Sequence, residues 1–190
     1  GLQLIIDFVP NHLARQYSSD QKPKGVVDFG VHDKQDVAFD INNNFYYLPG
    51  TKFSVPEGVH PPVPVTIPYT EIPAKVSGNN VFSSQPSIHD WFETVKLNYG
   101  VDLQHGNQTH FDPIPDTWLK MTDVLVYWTK KGVDGFRCDT AKHVPLNVWA
   151  ELKRQSNAAL KEWQAKPGVI KPDNQDLNFW MTAEVWGHGV

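Results

Sequence analysis

Short apolar runs bounded by polar turn residues mark three predicted strands. They are LQLIIDFV (2–9), GVDGFRCD (132–139) and NFWMTAEVW (178–186). Runs of this length are typical of strands buried in a parallel sheet. In the second run, alternation places Arg137 and Asp139 on one face and Phe136 and Cys138 on the other. This pattern predicts a wall between a polar cavity and a packed layer.

Two further segments have the apolar spacing of amphipathic helices. One runs from the possible capping residues Asp116 and Thr117 to Gly132, and the other from Pro145 to about Trp163. In the first segment the apolar residues Trp118, Met121, Leu125 and Trp128 recur at helical spacing, and in the second Trp149, Leu152, Leu160 and Trp163 lie roughly on one side. Alternating strands and helices predict right-handed βαβ units and therefore an α/β fold.

The interval 13–114 does not follow this alternation and is far too long for a structureless loop. Seven of the fifteen prolines lie between Pro49 and Pro73, which favours irregular structure. We therefore expect an inserted subdomain of loops and short strands, with one short helix near Ser87–Val95. The predicted domains are 1–12, 13–114 and 115–190, and the first and last form one catalytic domain.

Composition narrows the possible functions. The net charge is −4 and the basic residues are scattered, which argues against nucleic-acid binding as the main role. No apolar run approaches the ~20 residues that a transmembrane helix needs. The single cysteine, Cys138, rules out an internal disulfide and is expected to be a packing residue. Because the chain begins and ends within strand-like runs, we expect it to be an internal fragment of a longer protein.

Each predicted strand has a carboxylate near its C-terminal end: Asp7, Asp139 and Glu184. In parallel barrels, catalytic groups converge at that end. A single such carboxylate would be explained by a helix cap or a local ion pair, but three together favour a site. Glycosidic bond cleavage uses two carboxylates, one as nucleophile and one as proton donor. Arg137 would keep Asp139 ionised and oriented, whereas the apolar neighbours of Glu184 would favour its protonated form.

Three segments carry a family resemblance: DFVPNH (7–12), GFRCDTAKH (135–143) and TAEVW (182–186). They resemble, in order, three short conserved regions of the α-amylase family, glycoside hydrolase family 13, on its third, fourth and fifth barrel strands. The resemblance implies a partial TIM (β/α)8 barrel with the family's long inserted domain. The sequence is most similar to bacterial α-amylases, including periplasmic ones, which implies a secreted or periplasmic location.

The resemblance also implies roles for individual residues. These are Asp139 as nucleophile, Glu184 as general acid/base, Arg137 as the partner of the nucleophile, His12 and Asp7 at the cleaved sugar, and Lys142 and His143 on the leaving-group side. A structural Ca²⁺ would be held by Asn11, Asp102 and the main-chain carbonyl of His143, since such oxygen ligands suit a hard cation. Asn11 and Asp102 could instead be turn or capping residues. Among the aromatic residues of the interval, Tyr46, Tyr47, Trp91 and Phe92 could stack on sugars, but core packing is the favoured interpretation.

The main hypothesis is therefore a retaining α-glucan hydrolase that cleaves α-1,4 bonds of starch or maltodextrin. The alternatives are an α-glucanotransferase or α-glucosidase of the same family, and a non-catalytic glucan-binding protein with a degenerate barrel. The family's third carboxylate, an aspartate preceded by histidine, would lie beyond this sequence. We expect these 190 residues alone to have no substantial activity.

Overall fold

The computed structural model describes residues 3–59, 69–169 and 179–185. In chain order they form β1 (Ile5–Phe8), β2 (His12–Ala14), β3 (Tyr47–Leu48), β4 (Ala74–Lys75), β5 (Thr94–Lys96), β6 (Val101–Asp102), β7 (Gln108–Thr109), α1 (Asp116–Lys130), β8 (Gly135–Cys138), α2 (Leu146–Gln164) and β9 (Trp180–Ala183). The chain divides into two compact units, one of residues 1–11 and 118–190 and the other of residues 12–117. That the second unit is the inserted domain expected at 13–114 stays a prediction.

The first unit is built on a parallel sheet. Its strand order is β1-β8-β9, and the register aligns Asp7 with Arg137 and Arg137 with Thr182. Gly135 allows β8 and β9 to approach closely, because a Cβ there would lie 2.5 Å from the carbonyl oxygen of Trp180. The three predicted strands and their parallel α/β arrangement are confirmed. The described residues do not form a closed barrel, and the resemblance implied only a partial one.

Apolar residues of the sheet and of two helices make up the core of this unit. Phe136 and Cys138 are buried, and the Phe136 ring packs against Phe8 and Phe179 with centroids 5.9 and 5.2 Å away. Both predicted helices are confirmed, with buried residues that include Met121, Leu125, Leu152 and Leu160. Trp128 shares the apolar spacing but is not buried: it is 44% exposed, and its ring packs edge-on against Tyr127.

The second unit consists of short antiparallel pairs, β2 with β5, β3 with β4 and β6 with β7. Its core includes Tyr46, Tyr47, Val76, Val95, Leu97 and Tyr99. The helix expected near Ser87–Val95 is wrong. The backbone N–H of Ser87 donates to the Asp90 carboxylate at 2.7 Å, and the N–H of Asp90 donates to the carbonyl of Ser87 at 3.1 Å, which closes a turn. Trp91 then has φ 41°, and a second turn, in which the N–H of Thr94 donates to the carbonyl of Trp91 at 2.9 Å, leads into β5.

No helix in the described parts of the chain is both long and apolar enough to cross a lipid bilayer.

Candidate active site

Three carboxylates lie at the C-terminal ends of the parallel strands. Asp7 is in β1, and Asp139 and Glu184 directly follow β8 and β9. The sheet hydrogen bonds continue into both of these positions. The N–H of Asp139 donates to the carbonyl of Phe8 at 2.9 Å, and the N–H of Glu184 donates to the carbonyl of Cys138 at 2.8 Å. The backbone of both acidic residues is therefore fixed by the sheet.

The guanidinium of Arg137 contacts all three carboxylates. Its Nη1 lies 3.3 Å from Oδ1 of Asp139 and 3.6 Å from Oδ1 of Asp7, and its Nη2 is paired with Oε1 of Glu184. The expected contact between Arg137 and Asp139 is present, and the ion pair with Glu184 adds to it. One planar cation with several donors can hold carboxylates at fixed mutual positions. The catalytic roles assigned to these residues stay predictions.

The two oxygens of Glu184 have different surroundings. Oε1 binds Arg137, whereas Oε2 is buried and has no hydrogen-bond partner among the described residues. An unpaired buried oxygen is costly, so it is the atom at which a proton or a ligand hydroxyl would complete the hydrogen bonding. Of the expected apolar neighbours, Trp180 and Val185 are exposed, and the carboxylate is paired with the charged Arg137. Trp186 lies outside the described residues.

A tight turn after β8 contributes the next candidate residues. Thr140 is buried in the left-handed conformation, with φ 43°, and its hydroxyl donates to Oδ2 of Asp139 at 3.1 Å. It is followed by a 3₁₀ turn, Ala141–His143, which contains Lys142 and His143. The N–H of Ala141 donates to the carbonyl of Glu184 at 3.1 Å. This hydrogen bond holds the turn against the C-terminal end of β9, where Glu184 lies.

Helix α2 fixes the turn from the other side. The indole N–H of Trp149 donates to the carbonyl of Ala141 at 2.9 Å, and its ring packs edge-on against Phe8. Thr140 and Trp149 were given no site role by the sequence. The motif GFRCDTAKH contains Thr140, but the residue type alone does not indicate a left-handed backbone.

His12 belongs to the second unit and begins β2. It pairs in register with Lys96 of β5, and its ring packs against Trp91 with centroids 5.5 Å apart and planes 59° apart. Its sugar contact stays a prediction. The expectation of core packing is confirmed for Tyr46 and Tyr47 but wrong for Trp91, which is 37% exposed.

Asp102 lies in the β6–β7 hairpin. Its Oδ1 accepts hydrogen bonds from the N–H groups of Gln104 and His105 at 3.2 Å, and its Oδ2 lies 2.8 Å from Nδ1 of His105. Desolvation raises the pKa of Asp102, but the hydrogen bonds outweigh this effect, so the pKa is lowered overall.

Asn11 is fully buried. In the described parts of the chain no three His, Cys, Asp or Glu side chains are grouped to hold a metal, and the expected calcium ligands include only one such side chain.

The thiol of Cys138 has no chemical role in this arrangement. It is 2% exposed, and burial raises its pKa to about 12, so it stays protonated at neutral pH. The expectation of a packing residue is confirmed.

Comparison with known proteins now adds to this geometry. Residues 1–184 match the family described as "Alpha amylase, catalytic domain". The chain belongs to the α-amylase family. The catalytic domain of the α-amylase family implies a TIM barrel, and the described residues contribute three adjacent parallel strands to it.

Individual relatives point the same way. The chain is 48% identical to the periplasmic alpha-amylase of Escherichia coli K12 over 75 residues, which cover 36% of this chain and 10% of that protein. It is 28% identical over 149 residues to a cyclomaltodextrin glucanotransferase of Bacillus sp. strain 17-1, covering 77% of this chain and 15% of the relative. A cyclomaltodextrin glucanotransferase of Niallia circulans is 25% identical over 183 residues, which cover 92% of this chain and 20% of that relative. The chain thus spans a fifth or less of the length of these relatives.

Proposed function

We propose that the protein is a retaining α-glucan hydrolase that cleaves α-1,4-glucosidic bonds of starch or maltodextrin. The observation that carries this proposal is the ion pairing of Asp139 and Glu184, at adjacent strand ends, with one guanidinium. Retaining glycosidases have their two carboxyl groups roughly 5–5.5 Å apart. Contact with a single cation supports a separation of that order.

The proposed reaction has two displacements. In the first, the Asp139 carboxylate attacks the anomeric carbon while Glu184 gives its proton to the leaving oxygen, so the glycosidic bond breaks and a covalent β-glycosyl intermediate forms. In the second, Glu184 takes a proton from water, and the resulting hydroxide displaces Asp139 from the sugar. His12 and Asp7 would hold the cleaved sugar, and Lys142 and His143 would line the leaving-group side.

Substitutions of the two acids test this proposal in the full-length protein. Asp139→Asn and Glu184→Gln should each lower kcat on starch by about 100- to 10,000-fold. Glu162→Gln is the matched control, because Glu162 is an exposed residue of α2 that pairs with Lys130 at 2.9 Å. It should leave turnover unchanged. Near-normal rates in either acid variant would contradict the assignment.

Similarity to the cyclomaltodextrin glucanotransferases favours transfer as a second candidate function. In that reaction a sugar hydroxyl takes the place of water. Products formed from maltoheptaose separate the possibilities: hydrolysis gives shorter linear chains, transfer gives cyclic or lengthened chains, and an α-glucosidase gives glucose from the chain end. Binding of maltoheptaose without any product would indicate a non-catalytic glucan-binding protein.

We also propose a structural Ca²⁺ held by Asn11, Asp102 and the carbonyl of His143. The support is chemical, since an amide, a carboxylate and a carbonyl are hard oxygen donors of the kind that Ca²⁺ prefers. Chelation should lower the unfolding temperature of the full-length protein, and added Ca²⁺ should restore it. Asp102→Asn should abolish this response, whereas His105→Ala, which removes the 2.8 Å partner of Asp102, should retain it. If the unfolding temperature did not change when a chelator was added, the proposed structural Ca²⁺ would be excluded.

A further inference from the structure

Trp91 is exposed although it is large and apolar. It is 37% exposed, in a segment where the neighbouring strand β5 is almost wholly buried. Its φ of 41° is one that bulky side chains rarely adopt, because the left-handed region costs free energy. The indole packs against the ring of His12, yet more than a third of Trp91 stays at the surface. Such strain is concentrated at functional positions.

The backbone around Trp91 is held rigidly. The N–H and the hydroxyl of Thr94 both donate to the carbonyl of Trp91, at 2.9 and 2.8 Å. The buried Arg15 binds the next two residues, since its side chain donates to the carbonyl of Phe92 and its N–H donates to the carbonyl of Glu93 at 3.0 Å. The indole is therefore presented on a fixed support.

The ring of His12 lies against this support. Its centroid is 5.5 Å from that of Trp91, and the two planes are tilted by 59°. Gly78 makes the close packing possible, because a Cβ at that position would lie 3.0 Å from Cβ of His12 and 2.4 Å from Oγ1 of Thr94. A hydrogen-bonding imidazole and an exposed aromatic ring are thus built side by side in one unit.

We propose that Trp91 is a sugar-stacking platform that binds the glucose unit next to the one that His12 contacts. This rests on the proposed function, which places His12 at a sugar. The C–H face of a pyranose ring is apolar and flat, so an exposed indole can cover it while the imidazole binds hydroxyl groups. The ligand class is an α-glucan of at least two linked glucose units.

Two variants of the full-length protein test the proposal on maltoheptaose. Trp91→Gly should raise KM by about tenfold with kcat little changed, because it removes the stacking surface and leaves the acids intact. Its unfolding temperature should equal or exceed that of the wild type, since glycine tolerates the positive φ. Trp91→Tyr, which keeps a flat ring, should restore most of the affinity. Trp128→Ala is the control, because Trp128 is 44% exposed on α1 and has no role in the proposal.

A measurement on intact tryptophans covers the case in which Trp91→Gly does not fold. In the inactive Asp139→Asn protein, saturating maltoheptaose should slow oxidation of Trp91 by N-bromosuccinimide and leave oxidation of Trp128 unchanged, as mapped by mass spectrometry. Equal oxidation of Trp91 with and without the sugar would overturn the inference, as would an unchanged KM in folded Trp91→Gly. A wild type that neither binds nor cleaves glucans would instead defeat the proposed function itself.

Discussion

At the scale of single residues, the site depends on one guanidinium that faces three carboxylates. Arg137→Lys keeps the positive charge but supplies a compact ammonium in place of a planar fork. We expect kcat on starch to fall about 100-fold, because the relative placement of Asp139 and Glu184 is lost. Arg154→Lys is the control, since Arg154 makes an exposed pair with Glu151 at 2.6 Å on α2. Equal activity of Arg137→Lys and wild type would contradict a positioning role.

The hydroxyl of Thr140 is a second positioning group, because it donates to Oδ2 of Asp139 at 3.1 Å. Thr140→Ser should keep this bond and most of the activity. Thr140→Val, which has the same shape without the donor, should lower kcat about tenfold and leave KM nearly constant. Thr140→Gly relieves the positive φ but also lacks the hydroxyl. If Thr140→Gly kept the activity of Thr140→Ser, the hydrogen bond to Asp139 would not be needed and the positioning role would be refuted.

Residue-scale prediction from the sequence worked where it rested on alternation. Because side chains of a strand alternate between its two faces, the sequence predicted Arg137 and Asp139 on one face and Phe136 and Cys138 on the other. The structure confirms that Phe136 and Cys138 are buried and that Arg137 contacts Asp139. The left-handed conformations of Thr140 and Trp91 could not be predicted in this way. Residue type carries only a weak signal for positive φ outside glycine and asparagine, and tertiary contacts decide it.

At the scale of elements, the β2–β5 pair contains a buried lysine. Lys96 is 4% exposed, and burial lowers its pKa from 10.5 to about 7. Between these two values the unfolded chain holds a proton that the folded protein has lost, so the free energy of unfolding rises as the pH rises through this window. Below about pH 7 both states are protonated and the burial penalty is at its full size, on the order of a few kcal/mol.

Urea unfolding of the full-length protein from pH 6.5 to 9.5 measures this dependence. The wild type should gain stability towards the alkaline end, and Lys96→Met should lose most of that slope and be more stable than the wild type near pH 6.5. Lys153→Met, at an exposed position of α2, is the control and should retain the slope. Parallel pH curves for wild type and Lys96→Met would refute the buried charge as its source.

A buried ion pair joins the segment after β2 to the approach to β4. Nη1 of Arg15 lies 2.7 Å from Oε1 of Glu71, both side chains are 4% exposed, and the guanidinium lies 3.9 Å from the centroid of Phe53. Glu71→Gln leaves a buried cation without its partner and should lower the free energy of unfolding by about 3–5 kcal/mol. Adding Arg15→Met should recover part of that loss. A double-mutant cycle in urea checks the pair, and strictly additive losses would show that the two charges are not coupled.

Helices and strands were predicted correctly where apolar residues recur at regular spacing or in continuous runs. Both helices and all three parallel strands follow the sequence pattern, although the described strands are shorter than the apolar runs. The helix expected near Ser87–Val95 failed, because the Asp90 side chain binds the N–H of Ser87 and closes a turn instead. Asp and Ser compete with helical hydrogen bonds in this way, and spacing alone does not show which one prevails.

At the scale of the whole molecule, each of the two units has an apolar core of its own. The core of the second unit includes Tyr47, Val76 and Tyr99, and its strands are only two or three residues long, so no apolar periodicity locates them. In the first unit, large apolar side chains such as Leu4, Ile5 and Trp180 are about half exposed. Sequence motifs therefore identified the three parallel strands and the family, whereas the strands of the second unit could be located only from the coordinates.

The sheet of the first unit leads to a prediction for these 190 residues expressed alone. Among the described strands, β1 and β9 each pair on one side only, and unpaired strand edges favour association with other chains. A TIM barrel needs eight strands to close, and it places its catalytic groups on loops from several of them. We therefore expect residues 1–190 to associate in size-exclusion chromatography and to hydrolyse starch at least about a thousandfold more slowly than the full-length protein. A soluble monomer of these residues with comparable activity would show that the described strands already form a complete site.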